Sequence, residues 1–236
     1  MTAEAERRAL RFLSRSPLLH ADMAAMVLSG RCGILSADDG GVLLCYGGGY
    51  MMSALSRRAA DAMLAMIPRT ELLDAHQKFY VADARERFGL RTGMECRQAV
   101  YTRKEPLPPV HSPAEIRPVG EEFLPFLTKH YTHADINGEG YLRERLRSGD
   151  FFAAFVGGEP AGFIGTHEEG SMGLLEVLPR YRRRGVAAAL ATMQTNRLLA
   201  LGRVPFSQIE PENAASFALH RRLGFAVSDE SLYWLF

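Results

Sequence analysis

One short segment constrains the fold of this chain more than any other part of its sequence. Residues 175–190 read LEVLPRYRRRGVAAAL, which joins an apolar run, an arginine-rich loop, a glycine and an alanine-rich run. This order predicts a strand, a loop and a helix that begins at Gly185. The start of such a helix offers unpaired backbone N–H groups and a partial positive charge beside the arginines. The segment therefore predicts an anion site for a phosphorylated cofactor, unless the basic loop only caps a helix packed on a sheet.

A proline-rich stretch divides the chain into two halves of similar length. Residues 104–113 read KEPLPPVHSP, and prolines remove backbone donors and favour a semi-rigid, extended segment. We predict an N-terminal domain over residues 1–104, a linker over 105–113 and a C-terminal domain over 114–236. Helix and strand patterns on both sides of the linker predict an α/β (α+β) fold, with a mixed, mostly antiparallel sheet flanked by helices.

The two halves end in similar patterns. RERFGL at residues 85–90 and RRLGF at residues 221–225 each combine the end of a helix with a glycine, and an apolar strand follows each of them. A diverged duplication would explain the similarity, and a common helix–glycine–strand ending would explain it equally well.

Two motifs in the second half resemble those of the GNAT (GCN5-related) N-acetyltransferase family. RRRGVA at residues 182–187 resembles R/Q-x-x-G-x-G/A, and the preceding VLPRY resembles V-x-P-x-Y. NAASFALHRRLGF at residues 213–225 resembles the helix N-x-x-S/A-x-x-L-Y-x-x-x-G-F. Over roughly residues 115–236 the chain looks most like the FR47-like branch, which includes glycine N-acyltransferase-like proteins. The resemblance implies the GNAT fold, a degenerate GNAT-like N-terminal half, and acyl transfer from acetyl-CoA or another acyl-CoA to an amine.

The resemblance also implies which residues would bind coenzyme A. Backbone groups of Val177 and Leu178 would pair with the pantetheine arm, and the N–H of Val177 would polarise the thioester carbonyl. Backbone N–H groups over residues 183–188 would hold the pyrophosphate, and two side chains of the last helix would lie along the far side of the arm. The full set is Val177, Leu178, Arg182, Arg183, Arg184, Gly185, Val186, Ala187, Ala188, Asn213 and Ser216.

Glu176 and His220 are the candidate catalytic residues. Glu176 is the one carboxylate in the predicted strand 173–178, where an unpaired carboxylate is costly to bury. We therefore predict it as general base, acting directly or through water, unless it faces solvent or pairs with an arginine. His220 occupies the position at which many GNAT enzymes place a tyrosine acid. Its imidazole, with an ordinary pKa of about 6.5, could act as acid or base, unless it is a half-buried helix residue bonded to its neighbours.

Three further residues are candidates for binding the acceptor substrate. In the GNAT fold the segment that contains Tyr131 and His133 tends to line the acceptor pocket. Gln208 stands where some relatives carry a glutamate, and its amide can orient a substrate but cannot take a proton. The sequence predicts no metal site, since neither the pair His130 and His133 nor the three cysteines shows complete ligand spacing.

Composition and charge argue against nucleic-acid binding and membrane attachment. A formal net charge of +1 gives no global attraction to nucleic acid or membranes, and the N-terminus has no continuous apolar segment. We expect a cytoplasmic monomer or homodimer that acylates a small-molecule amine or amino acid. Two other functions stay open: glycine or amino-acid N-acylation with a bulkier acyl-CoA, and a non-catalytic sensor that binds coenzyme A.

Overall fold

The computed structural model describes residues 2–236, of which the side chains of residues 134–137 lie outside the description. Its elements confirm the predicted α/β class and form two compact units, residues 1–100 with 208–217 and 226–236, and residues 101–207 with 218–225. The helices are α1 (Ala3–Leu13), α2 (Ala21–Ser29), α3 (Arg57–Met66), α4 (Val81–Phe88), α5 (Leu124–His130), α6 (Ala134–Arg147), α7 (Val186–Ala200) and α8 (Ala214–Arg222). The strands are β1 (Gly33–Asp38), β2 (Gly41–Tyr46), β3 (Gly49–Ala54), β4 (Leu73–Ala75), β5 (Thr92–Val100), β6 (Glu115–Pro118), β7 (Phe152–Val156), β8 (Glu159–Thr166), β9 (Met172–Val177), β10 (Phe206–Ile209) and β11 (Ala226–Leu235).

The first unit supplies six neighbouring strands of a seven-stranded sheet, in the order β1-β2-β3-β4-β11-β5. β3 and β4 run parallel, whereas β11 is antiparallel to both of its neighbours, β4 and β5. The last strand of the chain therefore lies inside the sheet that the first hundred residues build.

Helices cover both faces of this sheet. Side chains alternate between the faces along a strand, so Leu44 and Met51 pack with α1 and α2. Leu43 and Met52 pack on the opposite face, with α3 and α4. The first unit is thus a three-layer arrangement with an apolar core on each side of the sheet.

The second unit has the same layering around an antiparallel sheet of order β6-β7-β8-β9. Phe151 and Phe163 pack with α5 and α6 on one face, and Ile164 packs with α7 on the other. The predicted hairpin turns at Gly157 and Gly158, whose φ angles of 62° and 83° match a tight turn between twisted strands.

The order of elements repeats along the chain. The series α1-α2-β1-β2-β3-α3-β4-α4-β5 recurs as α5-α6-β7-β8-β9-α7-β10-α8-β11. The two similar sequence endings lie at corresponding positions in this order, each with a left-handed glycine, Gly89 or Gly224, before the final strand. This correspondence supports the interpretation of the two halves as a diverged duplication.

The compact units are not contiguous in sequence, unlike the predicted domains 1–104 and 114–236. Residues 226–236 group with the first hundred residues, because β11 pairs with β4 and β5. Whether the predicted domains fold independently stays a prediction.

Candidate functional site

The second unit presents a helix N-terminus without a side-chain cap beside three exposed arginines. α7 begins after Gly185, whose φ of 79° lies in the left-handed region, and no side chain accepts a hydrogen bond from its first turn at this cap position. Arg182, Arg183 and Arg184 are exposed, and Arg183 also has a positive φ, of 64°. First-turn N–H groups lack intrahelical partners, so this loop combines free donors with positive charge. The arrangement suits a phosphate or diphosphate.

The corresponding helix of the first unit begins differently. Ser56 precedes α3, as the sequence predicts, and its hydroxyl oxygen accepts a hydrogen bond from the N–H of Ala59 at 3.2 Å. A side-chain cap of this kind uses one of the donors that an anion would need. Of these two corresponding helix starts, α7 is the one without a side-chain cap.

Strand β9 leads into this loop and is an edge strand of its sheet. In the four-stranded sheet β9 pairs with β8, and the N–H of Leu178 donates to the carbonyl of Ala161 at 2.9 Å. The neighbouring pair, Val177 and Gly162, is therefore a non-hydrogen-bonded pair, in which both backbone groups of Val177 point away from β8. The Val177 carbonyl accepts a bond from Arg182 Nε at 3.0 Å. This places the N–H of Val177 at the edge of the sheet, one residue from Glu176.

A β-bulge lies just before this point. Gly165 pairs with Gly173 and Phe163 pairs with Glu176, so two residues of β9 oppose one residue of β8. The first of the two, Leu174, has a φ of 52°, which a non-glycine residue rarely adopts. Bulges of this kind re-aim a strand next to functional sites.

Glu176 points to the face of the sheet that α5 and α6 cover. Its cross-strand partner Phe163 packs in that core, and its Oε1 accepts a hydrogen bond from Thr132 Oγ1 at 2.6 Å. The ring of Tyr131 lies 6.4 Å from that of Phe163 and 5.8 Å from that of His133. The structure therefore brings Glu176, Tyr131 and His133 to one place, and it adds Thr132, which the sequence analysis missed. The one feature of the sequence that could have pointed to Thr132 is its position next to Tyr131.

A neutral tyrosine–histidine pair holds the turn between β8 and β9. Tyr141 Oη and His167 Nδ1 lie 2.7 Å apart, and their rings stack at 5.9 Å. Burial lowers the pKa of His167 below its ordinary value and raises the pKa of Tyr141 well above its own. Both groups are therefore uncharged at neutral pH, which suits a fixed structural contact.

His220 is more buried than the sequence suggested. Its ring is 3% exposed, its Nε2 lies 2.9 Å from Ser207 Oγ, and Phe225 packs edge-on against it at 5.0 Å. These contacts fit a hydrogen-bonded helix residue, and a catalytic role for His220 stays a prediction.

Three other predicted site residues lie in the first unit. Gln208 donates from Nε2 to Asp22 Oδ2 at 3.0 Å and accepts from Trp234 Nε1 at 2.7 Å, so protein groups contact both ends of its amide. Asn213 Oδ1 accepts from the N–H of Ser216 at 3.0 Å, as a helix cap does. Their predicted contacts with substrate or coenzyme A stay predictions.

Comparison with known proteins shows what this chain is similar to. Residues 157–235 match the model of the FR47-like protein family. The fold is that of the GNAT acetyltransferases. A GCN5-related N-acetyltransferase-like protein from Streptococcus suis has 15% identity and a TM-score of 0.59, with 100% of this chain and 98% of that one covered. A GCN5-related N-acetyltransferase from Sphaerobacter thermophilus has 16% identity and a TM-score of 0.56, with 99% and 93% covered.

A Drosophila protein is also similar, with 18% identity, a TM-score of 0.68, and 98% of this chain and 87% of that one covered. No curated protein matches the chain. The predicted resemblance and the predicted fold class are confirmed. Among the described residues, no helix is long and apolar enough to cross a membrane.

The linker packs against Gly185, at the end of the arginine loop that precedes α7. A Cβ atom built on Gly185 would lie 2.5 Å from the carbonyl oxygen of His111. The linker is also fixed to α7, because Asn196 bonds the N–H and the carbonyl of Leu107 at 2.7 and 2.9 Å. Glycine at position 185 is thus required twice, by its φ and by this close approach.

Gly185→Ala should therefore lower the free energy of unfolding by about 2 kcal/mol or more, from left-handed strain plus steric overlap. Gly202→Ala is the matched control, since Gly202 has a similar φ of 70° and nothing within 4 Å of its Cβ position. Gly202→Ala should lower the free energy of unfolding by about 1 kcal/mol, which is the cost of the left-handed strain alone. Urea denaturation of both variants measures the difference, and equal losses would contradict a tight contact with His111.

Proposed function

We propose that the chain is an N-acyltransferase that moves an acetyl or other short acyl group from acyl-CoA to the primary amine of a small molecule. The observation that carries this proposal is the order of groups along β9 and its loop. Glu176, the outward N–H of Val177 and the uncapped start of α7 follow one another within residues 176–186. A base, a donor for the thioester oxygen and a diphosphate site are the three parts that this reaction needs.

Coenzyme A would bind along the end of β9, the arginine loop and the start of α7. The N–H groups at the start of α7 and the exposed guanidinium groups suit its pyrophosphate. The small side chains of Ala187 and Ala188 allow a phosphate to approach the backbone closely. The edge N–H of Val177 can donate to the pantetheine arm or to the thioester oxygen, where it would stabilise the negative charge that develops during attack.

Glu176 is suited to accept the proton of the attacking amine. A primary amine must lose its ammonium proton before it attacks the thioester. Glu176 is partly buried, held at Oε1 by Thr132, and leaves its other carboxylate oxygen for the amine or for a bridging water. The amine would then enter between Glu176 and the ring of Tyr131, with His133 beside it.

Isothermal titration of the purified chain with acetyl-CoA tests the proposal. Ala187→Glu places a carboxylate where the pyrophosphate would lie, at a partly exposed position of the first turn of α7. We expect it to raise the Kd by about 100-fold or more through charge repulsion and steric exclusion. Ala200→Glu, the same change at an exposed position at the other end of α7, should bind like the unaltered protein.

An amine screen with detection of the released thiol then separates the remaining functions. Turnover with acetyl-CoA supports the proposal, and a preference for longer acyl-CoA thioesters would favour acylation with a bulkier donor. Binding without turnover of any amine would favour a coenzyme A sensor. No binding by the unaltered chain would overturn the acyltransferase proposal.

A further inference from the structure

The imidazole of His167 lies against the start of β9, just before the β-bulge. The backbone of His167 closes the turn between β8 and β9, since its N–H donates to the carbonyl of Ser171 at 2.9 Å and its carbonyl accepts from the N–H of Gly170 at 3.1 Å. Its ring reaches back over Gly173, where an added Cβ atom would lie 2.4 Å from Nε2 and 2.5 Å from Cδ2. Any side chain at position 173 would therefore overlap the ring.

Tyr141 of α6 holds the other side of this ring. Its Oη lies 2.7 Å from His167 Nδ1, and the two rings stack with their centroids 5.9 Å apart. Burial lowers the pKa of His167 and raises the pKa of Tyr141, so both groups are uncharged at neutral pH. One imidazole thus connects α6 to the first residues of β9 through a contact that does not titrate near neutral pH.

Gly173 and Glu176 lie on one face of β9, although they are three positions apart. Their cross-strand partners are Gly165 and Phe163, which are two positions apart on β8 and therefore face the same side. The extra residue of β9 is taken up in the bulge that begins at Leu174. Two strand positions span about 7 Å, so His167 covers β9 about 7 Å along the strand from the backbone of Glu176.

The bulge makes the direction of Glu176 depend on what holds β9 on either side of it. A bulge bends its strand and increases the local twist, and a positive φ at a residue such as Leu174 persists only where the surroundings fix it. After the bulge, the bond from Leu178 to Ala161 fixes the strand. Before the bulge, the ring of His167 packs on Gly173. A displacement of Gly173 would therefore turn the segment that carries Glu176.

We propose that Tyr141 and His167 are positioning residues that, by holding the start of β9, direct the carboxylate of Glu176 toward the acceptor amine. The catalytic part of this inference rests on the proposed acyl transfer. The two residues act through Gly173 and the bulge and do not touch the amine or the thioester. A displacement of about 1 Å at a reacting group can lower a rate by about 100-fold, so weaker support of β9 should lower kcat measurably.

The competing explanation is that the pair only stabilises the turn. The two explanations differ for Tyr141→Phe, which removes Oη and keeps the ring. A purely structural pair lowers the melting temperature alone, whereas a positioning pair also lowers kcat. Tyr80→Phe is the matched control in the first unit. Tyr80 is fully buried, and its hydroxyl donates to the carbonyl of Met52 at 2.5 Å and accepts from the N–H of His76 at 3.0 Å.

The experiment combines kinetics with a direct observation of the Glu176 carboxylate. Thiol release measures kcat, and NMR of the full chain labelled with ¹³C at its glutamate carboxyls shows Glu176 as the resonance that disappears in Glu176→Gln. In Tyr141→Phe we expect a kcat about tenfold lower, a shifted Glu176 resonance, and a Kd for acetyl-CoA within about twofold. Tyr80→Phe should lower the melting temperature and change neither kcat nor the resonance.

Gly173→Ala tests the same support from the strand side. Its methyl group would overlap the ring of His167, so it should lower kcat at least as much as Tyr141→Phe and shift the same resonance. Gly140→Ala is the matched control on α6, because among the described residues nothing lies within 4 Å of its Cβ position. It should leave both kcat and the resonance unchanged.

The outcomes separate this inference from the proposed function. If Tyr141→Phe keeps kcat within about twofold of the unaltered chain, the pair does not position Glu176, whatever happens to the melting temperature. An unmoved Glu176 resonance would overturn the inference as well. If the unaltered chain releases no thiol with any amine, the acyltransferase proposal fails, and the resonance alone decides whether the pair directs Glu176. If Tyr141→Phe does not fold, Gly173→Ala decides.

Discussion

Glu176→Gln should lower the kcat for amine acetylation by about 10²- to 10⁴-fold, the usual contribution of a general base. The amide keeps the size of the side chain and can still contact Thr132, but it cannot take the proton of the attacking amine. Because coenzyme A would bind through backbone groups and the arginine loop, the Kd for acetyl-CoA should stay within about twofold. Thiol release measures kcat, and isothermal titration measures the Kd.

Thr132→Val is the matched variant for this prediction. Valine keeps the branched shape of threonine but removes the donor that lies 2.6 Å from Glu176 Oε1. A hydrogen bond to a charged group contributes about 1.5–3 kcal/mol, so we expect a reduction in kcat of about tenfold or more, because the carboxylate loses the donor that orients it.

The combined result tests the assignment of the base. If Glu176→Gln keeps kcat within about tenfold of the unaltered protein, Glu176 is not the general base. His220 would then be the candidate to replace next. A simultaneous loss of acetyl-CoA binding would instead show that the substitution disturbs β9 itself.

The part of the site that could be predicted from the sequence consists of elements that follow one another directly along the chain. The strand, the basic loop and the start of α7 follow one another within residues 172–200, so their order in sequence fixes their order in space. The Gly157-Gly158 turn and the Ser56 cap were predictable for the same reason. The bulge at Leu174 was not predictable, because it depends on the register with β8.

Contacts between residues that are far apart in sequence could not be predicted from the sequence. Thr132 and Glu176 are separated by 44 positions, and His76 and Asp22 by 54. The triplet Asp74-Ala-His76 was a visible signal of two polar side chains on one strand face, but β4, with only three residues, was not predicted as a strand. β3 was missed as well, since its GYMMSA sequence lacks a clear alternation.

The destination of the C-terminal strand was the largest difference between expectation and structure. The apolar pattern at residues 232–236 predicts a strand, and the strand extends over Ala226–Leu235. A strand pattern in the sequence does not indicate which strands will pair with it. In the structure, β11 lies in the first unit, between β4 and β5. Pairing across such long sequence separation is set by the whole sheet and not by local propensity.

Deletion of residues 226–236 should therefore prevent the first unit from folding, although these residues are far in sequence from the first hundred residues. Leu232 and Leu235 are 0% exposed, and Tyr233 and Trp234 are each 8% exposed. Each such side chain contributes about 2–5 kcal/mol to a packed core. Their combined loss, together with the backbone hydrogen bonds to β4 and β5, equals or exceeds the roughly 5–15 kcal/mol that stabilises a typical domain. Circular dichroism and urea denaturation should show no cooperative transition from the first unit.

Single substitutions on the same strand control for the deletion. Leu232→Ala should cost about 2–5 kcal/mol, whereas Asp229→Ala, at an exposed position, should change the unfolding free energy by less than about 0.5 kcal/mol. Residues 1–104 expressed alone should be unfolded, and co-expression with residues 105–236 should restore the sheet by supplying β11 in trans. If residues 1–104 alone unfold cooperatively, the first half is an independent domain, as its sequence boundaries predict, and β11 is an addition to a sheet that is stable without it.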